Sequence, residues 1–287
     1  MTHEVRCLQV EQHGCVLWAV LHRPEVRNAL DDAMVRELHG LCQTVEDGSS
    51  EGMDEVSRVR VVVLRGAGGT FCAGGDVVEM KKALEGDRSP GDRSEDPLFE
   101  LSREFGRLLE RLDALPCVVV AAVEGAAMGG GLGLACVADL VLSTDDAIFG
   151  MPEVRLGLIP AQIAPYVARR AGPAKARTLA VTARLIRGVE ALRQGLVDEC
   201  HPGPEALETA LNSCLREILL GAPKAVASVK ALMSGIDRRD RSEVLDEGAR
   251  RFAVAARGTE AREAMAAFAD RRPSPWARIK DSREDEA

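Results

Sequence analysis

Two glycine-rich stretches, CAGGD (residues 72–76) and MGGGLG (residues 128–133), each precede a segment with helical character. At the start of a helix the first backbone N–H groups have no acceptor within the helix, and the helix dipole favours negative charge there. Two such turns brought together could stabilise one developing oxyanion, as acyl chemistry requires. Each motif alone is weak evidence, because glycine also permits tight strand-to-helix turns.

Proton transfer needs an acid or base as well, and residues 125–138 contain no carboxylate and no histidine. The nearest acidic residues are Glu124, Asp139, Asp145 and Asp146. We expect these four to be solvated or structural, since most acidic side chains are exposed and aspartate often serves in turns and caps. The acid or base must therefore come from another part of the chain.

The elements that would position these turns alternate between strand and helix. Residues 15–22, 59–66 and 117–125 predict strands, and the last two are apolar runs typical of strands buried on both faces, as in parallel sheets. Residues 31–46 carry apolar residues on one helical face, and residues 140–150 predict further strand. Asp76, with Glu79 three residues later, predicts an N-cap and a capping box. The fold class is therefore α/β.

From about residue 172 onward the pattern is helical apart from a short strand-like LVDEC. We divide the chain into residues 1–200, a core that carries the site, and residues 201–287, a helical region with a flexible acidic tail. The polar segments 46–57 and 85–97 are interpreted as exposed connections. One apolar stripe predicts packing on another subunit, and hence a homotrimer or hexamer: Leu211, Leu215, Ile218 and Leu219.

Composition limits the function classes. The chain has 287 residues, 46% hydrophobic content and a net charge of −8, which disfavours a nucleic-acid surface. Its eight cysteines are scattered without metal-ligand spacing, so we expect reduced thiols and no metal. No uninterrupted apolar run suits a membrane span or a secretion signal. The expected location is cytoplasmic, with no membrane partner.

The motifs FCAGGDVVEM, RNAL and the long segment 123–160 together resemble the enoyl-CoA hydratase/isomerase, or crotonase, superfamily. The resemblance spans roughly residues 16–197, with the motifs in the family's order. It implies a spiral of repeated ββα units, a helical C-terminal trimerisation region and an acyl-CoA thioester as substrate. No separate cofactor is implied, because coenzyme A is part of the substrate.

The resemblance also assigns residues. The family's oxyanion hole falls on the backbone N–H groups of Gly75 and Gly130, and its acid/base glutamate on Glu153 in MPEVRLG. Apolar neighbours of Glu153 predict partial desolvation and a raised pKa, which suits a group that both accepts and donates a proton. The remaining implied substrate-binding residues are Ala29 and Ala73 beside the adenine, Asp76, Val77 and Val78 along the thioester, and Gly133 beside the acyl group.

Hydratases of this family commonly carry a second glutamate in GGG-x-E-L, and this chain has Gly133 at that position. The segment PAQIAPYV (residues 160–167) resembles the branch acting on glutaconyl-type branched acyl-CoA, whose members also show GGG-x-G-L. We therefore expect a hydratase of a branched 2-enoyl-CoA, in which Gln162 helps to hold water. The alternatives are an enoyl-CoA isomerase with one glutamate and a non-catalytic binding protein of this fold.

Coenzyme A carries phosphates, so cations are expected at the mouth of the site. The candidates in the sequence are Arg23, Lys81, Lys82 and Lys230. Most charged residues of such a chain are simply solvated, so only the fold can select among them.

Overall fold

The computed structural model describes residues 7–48, 58–85, 96–236 and 239–277. Its larger sheet has six strands in the order β1-β2-β3-β4-β6-β9, antiparallel between β1 and β2 and parallel elsewhere. The strands are β1 (Leu8–His13), β2 (Val16–Leu21), β3 (Val61–Gly66), β4 (Val118–Val123), β6 (Leu140–Thr144) and β9 (Glu199–His201). A smaller sheet contains β5 (Ala126–Met128), β7 (Ile148–Gly150) and β8 (Ile186–Arg187).

Eleven helices surround the sheets in the described part of the chain. They are α1 (Asp32–Asp47), α2 (Val77–Glu85), α3 (Pro97–Ala114), α4 (Gly130–Val137), α5 (Ala164–Ala171), α6 (Pro173–Thr182), α7 (Gly188–Gln194), α8 (Pro204–Leu219), α9 (Pro223–Met233), α10 (Arg241–Arg257) and α11 (Thr259–Ala269). Within these ranges no helix is long and apolar enough to cross a membrane. The α/β class expected from the sequence is confirmed.

The central strands β3 and β4 are buried on both faces, as their continuous apolar runs predict. Val62 and Leu64 face one hydrophobic cluster, which includes Met34 and Leu38 of α1. Val61 and Val63 face a second cluster on the other side of the sheet. A parallel sheet covered on both faces needs apolar residues at every position of its central strands, which explains the missing alternation.

Helix α8 covers that second face, and this corrects the interpretation of its apolar stripe. Leu211, Leu215 and Leu219 are buried against strands of their own chain. The stripe therefore provides no evidence for a subunit contact. The most exposed apolar side chains of the C-terminal region lie later, on α10 and α11, and include Phe252 and Phe268.

Some elements were not predicted from the sequence. Strand β1 has a buried residue only at its first position, Leu8, so no apolar alternation marks it. The apolar run at residues 140–150 forms two strands, β6 and β7, which belong to different sheets. The polar segments interpreted as exposed connections lie mostly outside the described residues, as does the acidic tail.

The parallel strands β2, β3 and β4 all end at the same edge of the large sheet. The segments that follow them, residues 22–31, 67–76 and 124–130, therefore meet at that edge. Ligands of open α/β sheets bind at the carboxyl ends of the strands. Both glycine-rich stretches lie in these segments.

We predict that Leu211→Ala lowers the free energy of unfolding by about 2–5 kcal/mol, because it leaves a cavity between α8 and the sheet. The matched control is Leu220→Ala, just beyond the end of α8, where the side chain is exposed. It should change stability by less than about 0.5 kcal/mol. Urea unfolding of both variants checks this, and equal losses would contradict the placement of α8 in the core.

Candidate functional site

Backbone hydrogen bonds join the three segments at the carboxyl edge of the sheet. The N–H of Leu30 donates to the carbonyl of Gly74 at 2.8 Å, and the N–H of Asp76 donates to the carbonyl of Leu30 at 2.8 Å. On the other side, the N–H of Met128 donates to the carbonyl of Cys72 at 3.0 Å. The segment 72–76 is thus held between the other two like a short added strand.

The two glycine turns touch each other through their backbones. A Cβ placed on Gly74 would lie 2.8 Å from the carbonyl oxygen of Met128 and 3.6 Å from the amide nitrogen of Gly130. Gly74 also has a φ of +100°, which side chains with a Cβ rarely adopt. Glycine is required here by both the close approach and the backbone conformation.

Each turn leaves a backbone donor unused. Gly130 is the first residue of α4, and the preceding N–H, that of Gly129, donates to the carbonyl of Gly150 at 2.9 Å. Among the hydrogen bonds of the described residues, none has the N–H of Gly75 or of Gly130 as its donor. The two N–H groups assigned from the sequence resemblance are therefore free to bind an oxyanion.

Glu153 brings a carboxylate to these turns. It begins a short 3-10 helix (Glu153–Leu156) that follows β7, and its Oε1 would lie 3.0 Å from a Cβ placed on Gly129. Its Oε2 is buried and has no hydrogen-bond partner among the described residues. Burial raises the pKa of Glu153, and a backbone hydrogen bond lowers it only in part. A raised pKa makes a carboxyl group better suited both to accept and to donate a proton.

Packing leaves no space for a glutamate side chain at residue 133, where many hydratases of this kind carry their second glutamate. A Cβ on Gly133 of α4 would overlap with Cγ2 of Ile163, lie 3.1 Å from Cβ of Ile163 and 3.6 Å from Leu109. Both apolar residues are buried. Gly133 therefore lies in the interior beneath Ile163, not beside an open acyl site as expected, and a longer side chain has no space there.

The side chain of Asp76 is used within the protein. Its Oδ1 accepts from the N–H of Val78 at 3.0 Å, which confirms the predicted N-cap of α2. The predicted capping box is wrong, because Glu79 accepts from the N–H of Asp32 at the start of α1 instead. The backbone of Asp76 is also used, since its N–H donates to Leu30 and its carbonyl accepts from the N–H of Met80 at 3.0 Å. Val77, which follows it, is 60% exposed, as a substrate-contacting residue would be in the free protein.

Gln162 lies against α3. Its amide donates to the hydroxyl of Ser102 at 3.2 Å, and its side chain occupies the space over Gly106. No hydrogen bond joins Gln162 to Glu153 among the described residues. The residue that does reach the glycine turn is Phe105, whose ring would lie 3.4 Å from a Cβ on Gly130. Phe105 is not among the residues assigned to the site from the sequence.

The remaining candidates are spread over the molecule. Ala29 and Ala73 lie on the two joined segments, since the N–H of Ala73 donates to the carbonyl of Arg27 at 2.9 Å. Lys81 and Lys82 are exposed on α2. Lys230 is wrong as a coenzyme ligand, because it binds Asp139 at 2.7 Å and the carbonyl of Cys117 at 2.9 Å, before β4 begins. That is the opposite end of the strand from the glycine turns.

The chain matches known proteins along most of its length. A family model described as "Enoyl-CoA hydratase/isomerase" matches residues 11–279. The short-chain-enoyl-CoA hydratase of Clostridium acetobutylicum is 30% identical over 277 residues, which cover 94% of this chain and 97% of the relative.

Solved structures agree with this match. Pseudomonas aeruginosa AtuE is 43% identical with a TM-score of 0.87, covering 95% of this chain and 100% of that one. An enoyl-CoA hydratase/isomerase from Marinobacter aquaeolei is 41% identical with a TM-score of 0.87, covering 94% and 99%.

We predict that Gly133→Ala destabilises the protein by about 1–3 kcal/mol, because the new methyl group overlaps with Ile163 in a packed interior. The matched control is Gly40→Ala in α1, where a Cβ would meet nothing within 4 Å. That change should stabilise by about 0.5–1 kcal/mol. Chemical denaturation measures both. A Gly133→Ala protein that gains as much stability as the control would show that the interior has room at residue 133.

We predict that Glu153→Gln raises thermal stability at neutral pH. A carboxyl group whose pKa is raised by folding costs nothing below its ordinary pKa of about 4.3, and its cost grows above that pH until the raised pKa is passed. The difference in Tm between variant and wild type should therefore be largest above the raised pKa and should shrink as the pH falls toward about 4.3. Scanning calorimetry across this range checks the sign, and a pH-independent difference would contradict it.

Proposed function

The chain belongs to the enoyl-CoA hydratase/isomerase family, and we propose that it hydrates a branched, glutaconyl-type 2-enoyl-CoA thioester. It has the crotonase fold of this enzyme family. One observation carries the proposal: the buried carboxylate of Glu153 lies against the turn that presents the unused N–H of Gly130. The glycine turn before α2 touches the same place.

In this mechanism the thioester oxygen binds between the N–H groups of Gly75 and Gly130. Addition at the β-carbon moves electrons onto that oxygen, so an enolate forms. Fixed backbone donors at the starts of two helices stabilise the enolate more than the neutral thioester, and they need no reorganisation. Contributions of about 3–4 kcal/mol for one donor are typical of such sites.

Glu153 performs both proton transfers. Its carboxylate takes a proton from water as the water oxygen bonds to the β-carbon, and the resulting carboxylic acid gives a proton to the α-carbon as the enolate collapses. The atoms of one water are thereby added across the double bond. A raised pKa suits both steps, because the same group must accept and then release a proton.

The branched and carboxylated acyl group is the finer part of the proposal. It rests on the resemblance of GGGLGL and PAQIAPYV to the glutaconyl branch of the family. It is supported by two polar side chains over Gly106: Gln162, and Arg103, which lies 2.6 Å from a Cβ placed on Gly106 and whose Nη2 also donates to Glu110 at 2.7 Å. A guanidinium and an amide are suitable donors for a distal carboxylate.

A single observation favours isomerisation as the second candidate. Ile163 fills the space beside Gly133, so the second carboxylate that hydratases commonly use is replaced by an apolar surface. An isomerase moves one proton between two carbons and needs no bound water. Glu153 alone would suffice for that reaction.

We also propose a homotrimer or a hexamer built from trimers. The support is the exposed apolar surface of α10 and α11, where Phe252, Val254, Met265 and Phe268 are mostly accessible in the single chain. Large exposed apolar patches mark sites of contact with other proteins, membranes or ligands. A monomeric mass in light scattering at micromolar concentration would reject this assembly.

The deciding experiment is a substrate panel of one 3-enoyl-CoA and three 2-enoyl-CoA thioesters: straight-chain, branched, and branched with a distal carboxylate. Loss of absorbance of the conjugated double bond reports hydration, and a 3-enoyl-CoA that gains this absorbance reports isomerisation. We expect kcat/KM for the carboxylated substrate to exceed that for the others by at least about tenfold. Preference for the straight chain would reject the glutaconyl type, and turnover of the 3-enoyl substrate alone would favour the isomerase.

We predict that Gly74→Ala lowers kcat by about 10²–10³-fold, the typical loss of one oxyanion donor. The added methyl would press on the carbonyl of Met128 and separate the two glycine turns. Gly14→Ala is a control for a strained glycine, since its φ is also positive but nothing lies within 4 Å of its Cβ. Steady-state kinetics on folded variants check this, and a folded Gly74→Ala enzyme with native kcat would contradict the oxyanion assignment.

We predict that Gln162→Ala reduces hydration more than isomerisation if this amide holds the water. The amide of Gln162 bonds to Ser102, so Ser102→Ala is measured beside it to show the effect of losing that hydrogen bond alone. Both activities are measured with the same acyl group. Equal retention of the two activities in Gln162→Ala would exclude Gln162 as the water ligand.

A further inference from the structure

Arg23 links the segment 29–31, at the start of α1, to Asp76, at the end of the first glycine turn. Its Nη2 lies 3.1 Å from Oδ2 of Asp31 and 3.1 Å from Oδ2 of Asp76, and its Nη1 donates to the carbonyl of Ala29 at 2.6 Å. The side chain is only 17% exposed, and those of both aspartates are 12% exposed. One guanidinium group thus bridges two largely buried carboxylates.

Both carboxylates also cap helices. Oδ1 of Asp31 accepts from the N–H of Met34 in α1 at 2.8 Å, and Oδ1 of Asp76 accepts from the N–H of Val78 in α2 at 3.0 Å. In each aspartate one oxygen holds a helix start and the other holds Arg23. The guanidinium therefore fixes the start of α1 relative to the start of α2.

Gly75 lies between the groups that Arg23 holds. It has no side chain, so its N–H is oriented only by its neighbours: Asp76 follows it, and Leu30, which follows Ala29, binds the backbone on both sides of it. We propose that Arg23 is a positioning residue that aims the Gly75 N–H at the substrate oxygen. This inference rests on the proposed function, in which Gly75 is an oxyanion donor.

The positive charge of Arg23 matters because it lies between the carboxylates of Asp31 and Asp76. Burial raises the pKa of Asp76, but hydrogen bonds from Arg23 and from the N–H groups of Val78 and Glu79 outweigh it, so the pKa lies below its usual range. Without the guanidinium, two buried carboxylates would face each other and repel. The start of α2 would then shift, and the adjoining Gly75 would shift with it.

A different role for Arg23 is contact with the phosphates of coenzyme A. The two roles give different kinetics. A phosphate contact acts on substrate binding and disappears when the thioester lacks phosphates, whereas a misaligned oxyanion donor reduces transition-state stabilisation on any thioester.

The test compares wild type, Arg23→Gln and Arg23→Lys on a 2-enoyl-CoA and on the matching pantetheine thioester, which has the same acyl end but no phosphates. We expect Arg23→Gln to lose about 10²-fold in kcat on both, as misplacements near 1 Å commonly cost. KM should change little. Arg23→Lys should recover part of kcat, because an ammonium group can also bridge the two aspartates.

The control is Arg65→Gln. Arg65 likewise bridges two carboxylates, those of Glu124 at 3.4 Å and Glu208 at 3.2 Å, but it contacts neither glycine turn. The Arg65→Gln variant should keep native kcat. Infrared spectra of a carbonyl-labelled acyl thioester in complex provide a second readout, in which Arg23→Gln should lose the carbonyl shift and Arg65→Gln should retain it.

Native kcat in a folded Arg23→Gln enzyme would overturn the inference, as would a loss confined to the coenzyme A thioester. If Arg23→Gln does not fold, the double variant Arg23→Gln/Asp31→Asn removes the repulsion, and native kcat in it would also overturn the inference. Failure of the proposed function is separately visible, because wild type would then leave every thioester of the panel unchanged.

Discussion

The contact between two backbone turns is the constraint on which the site depends. The chain at Gly74 approaches the carbonyl of Met128 so closely that no Cβ fits between them. This approach places the starts of α2 and α4 beside each other, each with a backbone N–H that finds no acceptor among the described residues. Such backbone donors need a partner from outside the protein, either water or a ligand oxygen.

The candidate acid/base group is a single side chain, Glu153. The buried Oε2 of Glu153 has no hydrogen-bond partner among the described residues, which a protein tolerates mainly where the group has a function. Its neighbours at the glycine turns supply no charge, and Ile163 excludes a second carboxylate at residue 133. In the mechanism we propose, one side chain performs the proton transfers and backbone amides stabilise the oxyanion.

Several local patterns were interpreted correctly as elements but assigned wrong partners. The stripe on α8 is a true helix face, yet it packs on its own sheet. Glu79 does reach a helix start, but that of α1. Lys230 is a largely buried cation, but its anion is Asp139, at the opposite end of the strands from the glycine turns. Periodicity and residue type describe what a side chain can bind, while the partner depends on which distant segment arrives there.

The sequence alone determined the strands buried on both faces, the main helices, the glycine turns and the family to which they belong, because these follow from local periodicity and short motifs. The tertiary structure alone decided how the parts meet. Arg23 and Asp76 are 53 residues apart, and Gln162 and Ser102 are 60 apart. Contacts at such separations depend on the register of the parallel strands and on the packing between layers. No local pattern encodes either, since many registers would satisfy the same apolar runs.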